Sequence, residues 1–185
     1  MQICVIRGKK MKTYIALLRG INVGGHKKVP MATLRELLTK CGLKNVQTYI
    51  QSGNVIFQSE KANELEEIIK KSILDYFGFE VSVIVKTPSE LQNILDDCPF
   101  QKDKKEHSFF IILNKIPDAE LVKDAQQISF ENEEIVIKKD ALYFYCSTGY
   151  GKSKFNMNTF ERKLKVIGTA RNYNTIIKIL SLTSN

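Results

Sequence analysis

Residues 46–58 read VQTYIQSGNVIFQ, two short strand-forming runs at 46–50 and 55–58 joined around Gln51, Ser52, Gly53 and Asn54. Ser, Gly and Asn supply turn chemistry, and the flanking Val, Ile, Tyr and Phe favour extended backbone, so the segment predicts two strands meeting at a turn. Its neighbours decide the fold. Upstream, Pro30 opens a helix with Leu34, Leu37, Leu38 and Cys41 at helical spacing and Gly42 as its stop. Downstream, Leu65, Ile68, Ile69, Ile73 and Phe77 trace one helical face, and Gly78 ends it. The runs 13–18 (TYIALL) and 80–86 (EVSVIVK) add a strand at each end. The order is β-α-β-β-α-β.

A short helix from Pro88 to near Cys98 follows, and the polar stretch 101–106 reads as a connection. The same order then returns: a strand at 108–113, a helix at 119–126, strands at 135–138 and 142–146, a helix at 158–166, and a short strand at 169–171. A final helix spans 175–182, capped by Asn174 or Thr175. The expectation is an α+β protein of two ferredoxin-like split β-α-β units, each an antiparallel sheet with helices on one face. Residues 12–98 form the first domain with its linking helix and 105–185 the second, with 1–11 as an N-terminal extension outside the fold. Strands such as FFIIL and LYFYC are apolar on both faces, so the second face of each sheet is expected to be covered by the other half.

Composition excludes several classes. With 43% hydrophobic and 26% charged residues, 10 Gly and 4 Pro, the chain is neither disordered nor collagen-like. Every apolar run, such as the one enclosed by Ser108 and Asn114, falls far short of the ~20 residues that span a bilayer. The four Cys have no paired spacing, so neither a disulfide framework nor a zinc site is expected. Cys41 and Cys146 read as core thiols from their apolar neighbours. No metal or cofactor is implied, and the first residues do not form a secretion signal, which points to the cytoplasm.

Charge is unevenly distributed. Residues 12–45 carry seven basic side chains against the single acid Glu36, and 147–185 carry seven against Glu161, while 46–146 hold 18 acids and 11 bases. If the fold brings the two ends together, they make one electropositive surface for phosphates or nucleic acid; otherwise they are two solvated faces.

The motifs fall in or beside the basic segments. The loop from Arg19 to Lys28 follows a strand and precedes a helix; Gly20, Gly24 and Gly25 let backbone N–H groups approach a ligand, Asn22 tolerates unusual backbone angles, and Arg19, Lys27 and Lys28 supply charge. Ser52 and Asn54 offer a hydroxyl and an amide from the turn. The segment Gly149-Tyr150-Gly151-Lys152-Ser153 resembles a phosphate loop but has Cys146 where the pattern needs its first Gly, leaving Lys154 and its neighbours as looser phosphate contacts. Arg162 and the run Arg171, Asn172, Tyr173, Asn174 fit either an anion contact at a helix start or a polar network joining the halves. His26 is a candidate base, whereas His107 reads as a surface residue. The aromatic signature of the common RNA-binding module with this strand order is missing.

Three separated signatures, in order, resemble one family. They are Leu17-Leu18-Arg19-Gly20-Ile21-Asn22-Val23-Gly24-Gly25 with Lys28-Val29 and Met31; Tyr49-Ile50-Gln51-Ser52-Gly53-Asn54-Val55; and Ser153-Lys154, Glu161-Arg162 and Thr169-Ala170-Arg171-Asn172-Tyr173-Asn174-Thr175. Spread over residues 12–182, they are similar to the bacterial domain-of-unknown-function family 1697. Tyr173 stands where that family often has Trp, which keeps an aromatic anchor. The resemblance implies a bacterial, ferredoxin-like α+β protein and carries no activity, substrate or catalytic residue with it.

The functional expectation is an anionic ligand, such as a nucleotide or nucleic acid, held in a basic cleft between the halves by Arg19, Asn22, Gly24, Gly25, Lys28, Ser52, Asn54, Lys154, Arg162, Arg171, Asn172 and Asn174. The alternatives are an enzyme on a small phosphorylated or carboxylated substrate, and a structural or interaction protein whose polar motifs lock the halves together.

Overall fold

A computed structural model describes residues 10–184, so most of the extension expected over 1–11, including Cys4, lies outside the described residues. The first unit runs β1 (Lys12–Arg19), α1 (Met31–Lys40), β2 (Lys44–Tyr49), β3 (Asn54–Ser59), α2 (Leu65–Phe77) and β4 (Ser82–Lys86). Two linking helices follow, α3 (Pro88–Asp96) and α4 (Lys102–Glu106). The second unit runs β5 (Phe109–Leu113), α5 (Ala119–Ala125), β6 (Glu133–Lys138), β7 (Ala141–Cys146), α6 (Met157–Leu164) and β8 (Gly168–Asn172), and α7 (Tyr173–Thr183) closes the chain.

The strands form two four-stranded sheets, ordered β2-β3-β1-β4 and β6-β7-β5-β8, and every pairing is antiparallel. The two orders are the same arrangement met twice, so the duplicated α+β architecture expected from element order is the one observed.

Period-two alternation then builds three apolar layers. On β1, Tyr14, Ala16 and Leu18 face Leu34 and Leu38 of α1 and Ile69 and Ile73 of α2. On β5, Ile111 and Leu113 pack with Phe160 and Leu164 of α6 and Ala125 of α5. The opposite residues, Ile15 and Leu17 on β1 and Phe110 and Ile112 on β5, share one core with Leu91, Ile94 and Leu95 of α3 and Ile176 and Ile179 of α7. The second face of each sheet is therefore covered jointly by the other half and these two helices. This explains why the central strands carry no polar face.

Local chemistry sets the linkers. Thr87 and Glu90 make a reciprocal capping box around Pro88, which starts α3. Residues 102–106 (KDKKE) form a helical turn where the sequence suggests only a connection; Lys and Glu favour helix, but the turn has no apolar stripe to betray it. Cys41 is exposed and Cys146 half-buried rather than sealed in the core, because Cys41 sits at the C-terminal cap of α1.

Candidate functional site

The two basic segments, 12–45 and 147–185, meet. β1 pairs with β4 on one side, β8 runs beside β5, and Arg171 of β8 reaches across to the end of β1 and the β2–β3 turn. Its Nε donates to Asn54 Oδ1, Nη1 to Thr169 Oγ1 and Ala170 O (both 2.8 Å), and Nη2 to Leu18 O (2.8 Å) and Ser52 O (3.2 Å). A guanidinium has five N–H groups, and five acceptors meet them. Burial pushes the Arg171 pKa down to about 10, which keeps the group protonated at neutral pH.

Asn54 is fully buried, and its amide nitrogen donates to Tyr49 O and Ser52 Oγ, both at 3.0 Å. Asn22 ties the neighbouring loop to the same turn. Its Oδ1 accepts the Val29 N–H at 2.8 Å, and its Nδ2 donates to Val29 O at 3.0 Å and Gln51 O at 2.9 Å. Gly53 lies between these groups because nothing larger fits: a Cβ there would stand 2.6 Å from Leu18 Cβ, at a φ of +78°. Asn22, Ser52, Asn54 and Arg171 thus form one polar network that joins the two units.

The glycine loop is a miniature hairpin. Val23 and His26 bridge, His26 N–H bonds Val23 O at 3.0 Å, and Asn22 N–H bonds Lys27 O at 3.1 Å. Gly24 and Gly25 take φ of +59° and +78°, the two positive values that a tight two-residue hairpin turn needs. The hairpin projects from the surface with His26 and Lys28 exposed. Lys27 turns back, donating to Glu80 O at 2.7 Å above the Phe79 ring.

Arg19 stands where the units abut. Nη1 pairs with Glu161 of α6, and Nη2 donates to Asn158 Oδ1 at 3.0 Å. It borders a cleft of about 750 Å³, together with Lys27, Lys70, Lys71, Glu67, Asp75 and Glu80 from the first unit and Ile167 from the second. Ile167 also borders an adjoining depression of about 400 Å³ with Lys115, Arg162, Lys165 and Glu161. Both are open troughs, and together they hold seven cations against four carboxylates. Three of those carboxylates are paired, Glu67 with Lys70, Asp75 with Lys71 and Glu161 with Arg19. Lys27, Lys115, Arg162 and Lys165 have no carboxylate partner among the described residues. The cleft bordered by Lys12 has the opposite character, with Glu64, Glu66, Glu67 and Glu90 around it.

Three expected residues lie elsewhere. Lys154 donates its backbone N–H to Glu133, at the Phe109 end of the second sheet. Asn172 caps α7 by accepting the Thr175 N–H at 2.9 Å; the cap thus falls earlier than Asn174 or Thr175, because β8 runs directly into the helix. Asn174 is exposed on the first turn of α7. No motif points to Lys70, Lys71, Lys115 or Lys165, and only the basic balance of 147–185 hints at the last of them. Among the described residues, no group of three or more His, Cys, Asp or Glu converges as a metal site would, and no helix is long and apolar enough to cross a membrane.

No curated protein matches the chain. Among solved structures, the conserved bacterial protein SP0830 from Streptococcus pneumoniae is similar, with a TM-score of 0.77 and 26% identity, covering 94% of this chain and 99% of that one. The profile of the family described as "Protein of unknown function (DUF1697)" matches residues 11–143, which take in the glycine hairpin and the Ser52–Asn54 turn, while the signature around Arg171 lies beyond the match. With well over half of its length matched, the chain belongs to this family.

Proposed function

We propose that the protein binds a phosphate-bearing polyanion, a single strand of nucleic acid, along the cationic shelf where its two units meet, and that it does so in the cytoplasm. The observation that carries this reading is the group of four cations, Lys27, Lys115, Arg162 and Lys165, without carboxylate partners around two adjoining troughs. Cations at such a surface gain by releasing counterions from a phosphate backbone. A strand fits better than a nucleotide because the troughs are open, whereas small-molecule sites enclose most of their ligand. An enzymatic reading has less support: His26 stands on an exposed hairpin, and the Ser52 hydroxyl and Asn54 amide bond each other.

The test is fluorescence anisotropy with a labelled strand of about 12 nucleotides, titrated from about 50 to about 200 mM salt. The wild type binds with a negative salt slope. The Arg162→Glu, Lys165→Glu variant binds at least about tenfold more weakly, and its slope is shallower by about 0.7 for every phosphate that it no longer neutralises. A wild type that ignores the strand at low salt, or a variant with undiminished affinity, overturns the reading.

A further inference from the structure

Within the shelf, one carboxylate already sits where a ligand's oxyanion would. One oxygen of Glu161 takes Arg19 Nη1 from the other unit and also accepts the Gly168 N–H, at 2.7 Å. The donors around it are rigidly held. Gly168 packs so closely that a Cβ would stand 2.8 Å from Ile111 Cγ2, and Asn114 pairs with both backbone groups of the adjacent Ile167, each at 2.9 Å. Arg19 is aimed by its second nitrogen, which Asn158 Oδ1 accepts. Arg162 borders the same depression. A guanidinium fork beside a fixed backbone N–H is a donor set suited to phosphate oxygens.

We propose that Glu161 is a tethered occupant of an anion seat, and that the strand docks by a terminal phosphate monoester which displaces it. This rests on the nucleic-acid reading above. The charge of the competitor decides the ligand class. A backbone phosphodiester bears one negative charge, as Glu161 does, and must displace a carboxylate that is already tethered in place. A terminal phosphate bears about −1.5 to −2 at neutral pH with three acceptor oxygens, enough to engage the Arg19 fork, the Gly168 N–H and Arg162 together. The remaining nucleotides then follow the lysines that lack a carboxylate partner.

The experiment compares single strands of one sequence carrying a phosphate at the 5′ end, at the 3′ end or at neither, with a nucleoside monophosphate as competitor. The proteins are the wild type, Glu161→Gln, Arg19→Lys and the control Glu36→Gln, each checked by its melting curve. The wild type prefers one end-phosphorylated strand by about tenfold. Glu161→Gln, whose amide oxygen still accepts from Gly168, gains more for the unphosphorylated strand and narrows the preference to about twofold. Arg19→Lys keeps salt-dependent binding and loses the preference, because a point charge replaces the fork. Glu36→Gln, on an exposed face of α1 outside both troughs, leaves the preference unchanged, which separates the seat from general charge removal. Equal binding of all strands by the wild type and by Glu161→Gln overturns the seat and leaves the shelf standing. Binding of no strand at all overturns the shelf itself. A monophosphate that competes at the strand's own concentration overturns the strand as ligand.

Discussion

At the scale of single residues, two glycines from the family signatures do different work. Gly53 combines a positive φ with a contact that forbids a side chain, since its Cβ would meet Leu18 Cβ at 2.6 Å and Ile21 Cδ1 at 2.9 Å. Gly25 has the same φ of +78° and nothing within 4 Å. Gly25→Ala therefore carries only the left-handed backbone cost of about 1–2 kcal/mol. Gly53→Ala adds overpacking of about 1–3 kcal/mol to that strain, and it strikes next to the turn whose carbonyl Arg171 uses. Urea unfolding of the two variants checks the difference. Equal destabilisation would mean that the turn yields to the added methyl at no further cost. Arg171 itself shows why a buried cation is tolerated: each of its N–H groups has an acceptor, so desolvation is offset by five hydrogen bonds.

At the scale of elements, one side chain ties the glycine hairpin to the β2–β3 turn. Asn22 makes three hydrogen bonds, two to Val29 and one to Gln51, and it sits at φ +55°. Asn22→Ala leaves the two-residue turn intact but cuts the loop from the β2–β3 turn. Local opening becomes easier by about 2 kcal/mol, so exchange of the Val29 amide, which donates to Asn22 Oδ1, rises roughly 30-fold. Native-state hydrogen exchange reads this directly, and an unchanged Val29 amide would show that the loop is held by something else. The elements themselves are largely legible in the sequence. Leu34 and Leu38, or Ile69 and Ile73, have the helical spacing that packing uses, and TYIALL reads as a buried strand because both its faces are covered. The five-residue α4 is not legible, since KDKKE buries nothing. Nor is the role of the site residues. A sequence shows that Arg171, Asn54 and Ser52 are polar, but which of them bond one another depends on a contact across 117 residues. Arg19 likewise finds Glu161 only across 142 residues, and the lysines of the shelf have no motif because charge alone places them.

Across the whole molecule, the two units are joined by a common interior rather than by a linker alone. Lys86 of β4 pairs with Asp140 of the β6–β7 turn at 2.6 Å, Asp97 at the end of α3 meets Lys138 and Lys139, and Ile15, Ile84, Phe110 and Tyr143 share one apolar layer. Tyr143 is the polar member of that layer. Its ring meets Phe110 edge-on at 5.6 Å, and its hydroxyl donates to Ile94 O of α3 at 2.8 Å. Burial, followed by the nearby Asp97 charge, raises its phenol pKa above the usual 10.0. A raised folded-state value means that the neutral phenol is the form the core accepts. The stability it brings is complete below the unfolded value of about 10 and is lost as pH rises above it toward the folded value. Tyr143→Phe keeps the ring and removes both the donor and the titration. At neutral pH the variant is less stable by about 1 kcal/mol, the usual worth of one hydrogen bond. Above a pH of about 10 the gap closes, because the wild type must then either keep an increasingly disfavoured neutral phenol or bury a phenolate next to Phe110. Comparing the two proteins cancels the titration of every other group, including Arg171. A parallel pair of stability profiles through that range would place the phenol in water rather than in the shared core.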